Sequence, residues 1–464
     1  MEPSLNQIPS TALLKQPLYP LSEERPHQGP LKRKKLHTQT PARCGLGSLP
    51  RAIFEIIGRS VDPQEAFVFP FIARSLPFPR IKVKQRDVIT HAAEKGHLSL
   101  VKWLHNTFGW PLSAKISTAA ARGGKLEVIR WLHANGCPSV EETCQVAVEG
   151  GYLNILQWLH KNGCSWKLGL CKAAASGGHI KILKWARAQG YSWDMQTCWL
   201  AAAGGHLTVL QWAHAHNCPW NELTCQAAAA RGDLGMLQWA RKSGCPWDEG
   251  TPFAATMGAH LEIIRWAHAH GCPWNERSCW AAAWRGNLEL LQWLRDNGCP
   301  WDWQTCSSAA EGGHFNILTW AHDNGCIWDF RSCIGAAKGG HLEILQWLRR
   351  NGCPWNEETC EAAATEGNLE ILQWARMQNC PWNEETCQAA ARGGHLALLQ
   401  WAHSHGCPWG TWSCASAASR GHLNILLWLR ANGCPWDFWT CKLATDAGHL
   451  DILQWARANG CPEE

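Results

Sequence analysis

Tryptophan recurs at positions 131, 158, 185, 212 and onward to 455, and every step is 27 residues. A further copy stands at Trp103, 28 residues before Trp131, because "HNTFGWP" adds one residue to that loop. Fourteen units in register across most of a 464-residue chain leave little freedom. A unit this short cannot bury its own apolar face, so neighbours must stack and share a continuous core, which is a solenoid. The bias toward alanine, glycine, tryptophan and cysteine is what one duplicated unit leaves behind.

The copy from Trp355 to Pro381 shows how the unit folds. Asn356 is a good helix N-cap, and Glu357 and Glu358 place negative charge in the first turn, where the helix dipole favours it. This first helix, helix A, runs through "TCEAAATE" to Gly367, and Asn368 then caps helix B, "LEILQWARMQ". The position after helix B is glycine in eleven units, from 136 to 460, and asparagine at 217 and 379. These residues best tolerate the left-handed cap conformation, and a proline two residues on (Pro381, Pro408, Pro435) blocks continuation. Apolar residues cover more than half of helix B, which predicts a buried inner helix flanked by its neighbours. The expected fold is all-α: a helical-hairpin solenoid of about fourteen repeats, roughly 110–140 Å long at helix-packing spacing.

"TPFAATMGAHLEIIRWAHAHG", residues 251–271, resembles the ankyrin repeat, whose first helix begins with Thr-Pro and whose second opens with Gly-His-Leu and closes on Gly. Thr-Pro elsewhere reads Thr-Cys (Thr359, Cys360), while Gly340, His341 and Leu342 keep the other signature. The resemblance covers residues 86–464 and implies an ankyrin-like superhelix that holds a protein partner. An ordinary ankyrin unit is about six residues longer. The missing residues are those of its β-hairpin finger, so "GCPWNEET" reads as a tight turn and binding must lean on the helices. Short-unit arrays of this kind resemble those of large DNA viruses and some unicellular eukaryotes.

Apart from Cys44, the 24 cysteines form two ladders, one after each helix B (Cys353, Cys380, Cys407) and one in helix A (Cys360, Cys387, Cys414). No Cys-x2-Cys spacing suits zinc, and equivalent cysteines of stacked units should stand roughly 8–10 Å apart, beyond a disulfide. Tyr191 and Pro252 interrupt the ladders, so packing is the favoured reading. His268 and His270, two apart on a helix, point in different directions, which argues against chelation. The histidines before helix B are replaced by Asp233, Asn287, Asn368, Lys125 and Tyr152, a mixture suited to capping. No metal, cofactor or catalytic constellation emerges, and an enzyme finds no support.

Of 32 tryptophans, fourteen belong to the helix-B ladder and eleven, from Trp166 to Trp436, to the turn after cysteine, with Trp110 a displaced twelfth. All of these read as core. Six depart from the pattern. With the helix-A cysteine as zero, the constant small residues at offsets +3 and +4 face the core, and offsets −2, +1, +2 and +5 face away. Trp199, Trp280, Trp284, Trp412 and Trp439 share that outward face with Phe253 and Ile334, and Trp303, Phe330 and Phe438 flank it. Surface aromatics that packing does not require are candidate partner anchors, and the competing reading is drift within a neighbour contact.

Residues 1–45 are proline-rich and basic and read as a disordered tail. Within them Lys32, Arg33, Lys34 and Lys35 match a nuclear localisation signal or an ordinary solvated run. The first 48 residues hold seven Lys/Arg against three acids, so they carry +4 of the net +5 and the array is nearly neutral, which argues against nucleic acid. Residues 46–85 form a separate segment. There Leu49, Pro50, Ile53, Ile57, Val61, Asp62 and Pro63 resemble an F-box, which implies docking on the adaptor of a cullin-type ubiquitin ligase; the alternative is a helix capping the open end of the array. Pro70 and the absence of a closing tryptophan depart from that family. No apolar segment suits a signal peptide or membrane span, so the expectation is an intracellular, cytoplasmic or nuclear chain with reduced thiols. The final "GCPEE" lacks a polar cap, which leaves end-to-end self-association open.

Overall fold

The computed structural model describes residues 85–138, 140–164 and 169–462. All belong to one compact unit, Asp62–Glu464. The basic tail, the run at 32–35 and the F-box-like stretch lie outside the described residues, as does Trp166. Among the described residues there are twenty-eight α-helices and no strand, so the chain is all-α, and it runs as alternating A and B helices.

The unit containing Glu357–Thr365 (helix A) and Leu369–Met377 (helix B) is representative. Helix A buries Thr359, Cys360, Ala363 and Ala364, all small, so its backbone can approach another closely. At one such crossing a Cβ on Gly335 would meet the Ser307 carbonyl oxygen at 2.6 Å. Each A helix therefore packs on the A helices before and after it, and each B helix docks on its own A. This reverses the expected burial: helix A is the inner helix. Helix B buries only Ile371, Leu372 and Ala375, while Leu369 and Trp374 stay half-exposed, because bulky side chains hold successive B helices apart.

Both helices end as their sequence predicts. Gly352 has φ 80°, and the asparagines that replace this glycine, Asn217 and Asn379, sit at 62° and 63°. Gly352 N–H donates to the Arg349 carbonyl at 3.2 Å, and Cys353 N–H donates to that of Leu348 at 3.0 Å. This is the two-bond Schellman closure, which satisfies carbonyls the helix end would otherwise orphan. Helix A closes likewise, with Gly340 at φ 79° and His341 N–H donating to the Ala336 carbonyl at 2.9 Å. At the start of helix A, Asn383 Oδ1 accepts from Glu385 N–H at 3.0 Å and Asp329 Oδ1 from Arg331 N–H at 2.9 Å. Asn356 adopts the same extended backbone without a side-chain bond.

The histidine before helix B is not a cap. His341 Nε2 donates to the carbonyl of Glu311 in the preceding unit at 3.2 Å, and His314, His395 and His206 reach back 30 residues in the same way. Its ring crosses the preceding glycine so closely that a Cβ on Gly313 would stand 2.5 Å from His341 Cε1. Where that position is Ala259, at φ 57°, the following unit carries the smaller Asn287, which instead caps its own helix at Leu290 N–H, 3.0 Å away. Asp233 caps in the same manner, whereas Asn368 Nδ2 reaches back to the Ala337 carbonyl at 2.9 Å. A second stitch repeats beside it: Cys353 Sγ donates to the carbonyl of Asp329, 24 residues upstream, at 3.2 Å, and Cys380 and Cys407 do the same to Asn356 and Asn383.

Ala259→Gly should raise stability by about 1 kcal/mol, since it removes only left-handed strain. Gly313→Ala should cost more than Gly352→Ala, because a Cβ at Gly352 meets nothing within 4 Å. Adding His341→Ala should recover part of the Gly313→Ala loss. Urea denaturation of the single and double variants measures all three effects.

Candidate partner-binding face

The offsets toward the core behave as expected, with Ala363 and Ala364 fully buried, but +2 does not face away: Ala281, Gly335 and Ala389 are buried there, Gly335 hard against the neighbouring A helix, and the deviant aromatics occupy the rest of that side. They fall into three groups. In the first, Phe253 and Trp280 lie 5.2 Å apart and the Arg277 guanidinium sits 4.3 Å over the Phe253 ring. Phe253 is buried beneath this pair, Trp280 is half-buried, and Trp284, one turn on, is 42% exposed. In the second, Arg331 is held between Trp303 and Phe330, at 4.3 and 4.9 Å, and pairs with Asp329 at 2.7 Å; Ile334 is half-buried one turn along. In the third, Trp412 stacks on Trp439 at 5.8 Å and Phe438 meets Trp439 at 4.7 Å, with the Lys442 ammonium 5.3 Å above it. Trp412 is 47% exposed. Trp199 is half-buried on helix Met195–Gly204, beside the exposed Met195.

Between the second and third groups the same face is polar. Glu357, Glu358, Glu384 and Glu385 are exposed, and Arg392 reaches Glu361 at 3.7 Å. Burial first, and then repulsion from Glu385, pushes the Glu361 carboxyl above its ordinary range. Aromatic anchors with a cation over the ring alternate here with an acidic stretch, so the face is chemically uneven along its length.

The repeat's own tryptophans are a correction to the sequence reading. Only Trp110 is buried among those described, and the helix-B and turn tryptophans remain half-exposed. They form an edge-to-face series, as in Trp355 with Trp374 at 5.8 Å and Trp382 with Trp401 at 6.1 Å. Each turn tryptophan is covered from its own helix B, by arginine in some units (Arg349 over Trp355, 4.2 Å) and by histidine in others (His403 on Trp409, 3.5 Å). Arg349 also donates to the Cys353 carbonyl and pins the turn. His268 and His270 diverge as expected, one stacking on Trp274 and the other on Trp266. The tryptophans stay partly wet because no further layer covers helix B.

The family described as ankyrin repeats (many copies) matches residues 89–133. Those residues fall on the first two hairpins, and the same hairpin with the same stops recurs through Leu450–Ala458. Residues 89–133 thus match the ankyrin-repeat family, and the hairpins that follow repeat the same plan. No curated protein matches it. Among solved structures, the human ASB11 ankyrin repeat domain is 15% identical over 34% of this chain and 84% of its own, with a TM-score of 0.28. The maize pentatricopeptide repeat protein PPR10 is 12% identical over 90% of this chain and 74% of its own, with a TM-score of 0.31. No strand finger occurs among the described residues. None of its described helices is long and apolar enough to cross a membrane.

Two features escaped sequence reasoning. One is the contact between the two cysteine ladders: the helix-A thiol lies next to the turn thiol 20 residues later in its own unit, not next to its equivalent. The constant 20-residue offset was the available signal. The other is a run of buried hydroxyls at offset −1, including Thr359, Thr386 and Ser413, without a hydrogen-bond partner.

Exposure separates the candidates energetically. Trp284→Ala should change stability by less than about 0.5 kcal/mol, whereas Phe253→Ala should cost about 3 kcal/mol. Paired denaturant titrations measure the difference.

Proposed function

We propose that this ankyrin-repeat protein is a non-enzymatic scaffold that captures a protein partner through the variable face of its A helices. The observation that carries the reading is the exposure of Trp284 and Trp412, two large indoles left 42% and 47% accessible. Equivalent positions in other units hold residues such as Thr365 and Glu385, so stacking does not require an indole there. Exposed indoles set among cations and rings are what interface anchors are made of, because aromatic burial dominates binding energy. The half-buried rings around them, Trp280, Trp303, Phe330, Phe438 and Trp439, would form the surround that excludes water, with Trp199 and Ile334 at the margins. Phe253 supports Trp280 from below and contacts no partner. Without hairpin fingers, the helices supply the contact area.

A photo-crosslinking residue placed at 284 or 412 in the full chain should give the same discrete adduct in cells. Met377, 75% exposed on helix B, is the control position. The adduct from 284 should disappear when Trp280 and Trp303 are replaced by alanine. An equal adduct from 377, or none from the helix-A positions, would remove this face from the account.

A further inference from the structure

The helix-A and turn cysteines of a unit are neighbours, and contact with the turn thiol pushes the helix-A thiol up in most units, as in Cys198 with Cys218 and Cys279 with Cys299. In the fully buried pairs the sulfurs also bond to backbone: Cys279 Sγ donates to the Cys299 carbonyl at 3.9 Å and Cys299 Sγ to the Asn275 carbonyl at 3.4 Å. Cys198 with Cys218 and Cys387 with Cys407 repeat that arrangement, and all six sulfurs are buried. One unit differs. Cys144 Sγ and Cys164 Sγ converge to 2.9 Å. Cys164 is also the described cysteine that is not fully buried. The sequence around it is altered: Ser165 stands where most units carry proline and Lys167 where they carry the Asn or Asp cap, and the next helix starts only at Leu170, after Gly169 at φ 89°.

We propose that Cys144 and Cys164 are a redox-sensitive dithiol that closes to an intramolecular disulfide by exchange with a small disulfide of the oxidised-glutathione class. Cys164 is the attacking group, because it is reachable from solvent and the hydrogen bond from Cys144 brings its thiol down to about 7. The same contact pushes the Cys144 thiol up, so the shared proton stays there. The Cys164 thiolate attacks one sulfur of the small disulfide, forms a mixed disulfide and releases one thiolate. Cys144 then gives its proton to that thiolate and attacks the Cys164 sulfur, expelling the second small thiol. One small disulfide is reduced to two thiols as the protein dithiol is oxidised. The new bond ties helix Glu141–Glu149 to the turn that follows Leu153–Lys161, locking that hairpin closed.

The test treats the folded full-length chain with oxidised glutathione, blocks free thiols and maps the unreduced digest by mass spectrometry. The expected product is a peptide pair joined through Cys144 and Cys164, while the fully buried pairs stay reduced. Its formation should accelerate as pH rises through about 7. Cys144→Ser should stop the reaction at a mixed disulfide on Cys164, and Cys164→Ser should abolish both products, with circular dichroism confirming that each variant is folded. Oxidation spread evenly over the buried pairs, or a wild-type Cys164 that remains reduced or halts at the mixed disulfide, would overturn the proposal.

Discussion

Everything in this array depends on turning the chain within a few residues at both ends of every helix, which the left-handed stop achieves. Each unit closes two Schellman motifs, at positions such as Gly340 and Gly352, and these set the hairpin geometry. The two stops then diverge in role. The one after helix B faces open space, and its cysteine thiol bonds to the preceding unit. The one after helix A lies under the histidine ring of the next unit, which donates to a carbonyl 30 residues upstream. Gly-His is thus one inter-unit joint written across two units, which accounts for the pairing of Ala259 with Asn287.

The backbone plan was legible in the sequence because it rests on residue types with few alternatives. Gly and Asn at the stops, Asp and Asn at the starts and the 27-residue period located the hairpins. Which helix lies inside was not legible, because hydropathy counts Trp374 as apolar and cannot see that alanine and cysteine on helix A let backbones meet. The same limitation concealed the half-exposed tryptophan series. The outward direction of Trp284 and Trp412 followed from helical phase alone, whereas the burial of Phe253 depended on Trp280 and Arg277 closing over it.

A joint repeated in many units has a consequence for what the rest of each unit can carry. Since each unit is held by its two neighbours, one helix A can exchange glutamate or alanine for tryptophan without disturbing the rest. Offsets −2 and +5, where Trp412 and Trp284 stand, are open to variation, whereas +2 is buried in units such as those of Ala281 and Ala389. The unit at 144–164 departs inside a seam, where Cys144 Sγ and Cys164 Sγ lie 2.9 Å apart. The proposed contacts all lie in departures from the repeat, while the constant residues keep the fold.

The most direct test of that account is native-state amide exchange on the full chain carrying His341→Ala. If the histidine crossing is a local joint, protection should fall in the helices it connects, Trp303–Glu311 and Leu342–Arg350, and persist in units several repeats away. A uniform loss of protection from 85 to 462 would contradict the account, since it would mean that the array is held by one global core and not by joints between neighbours.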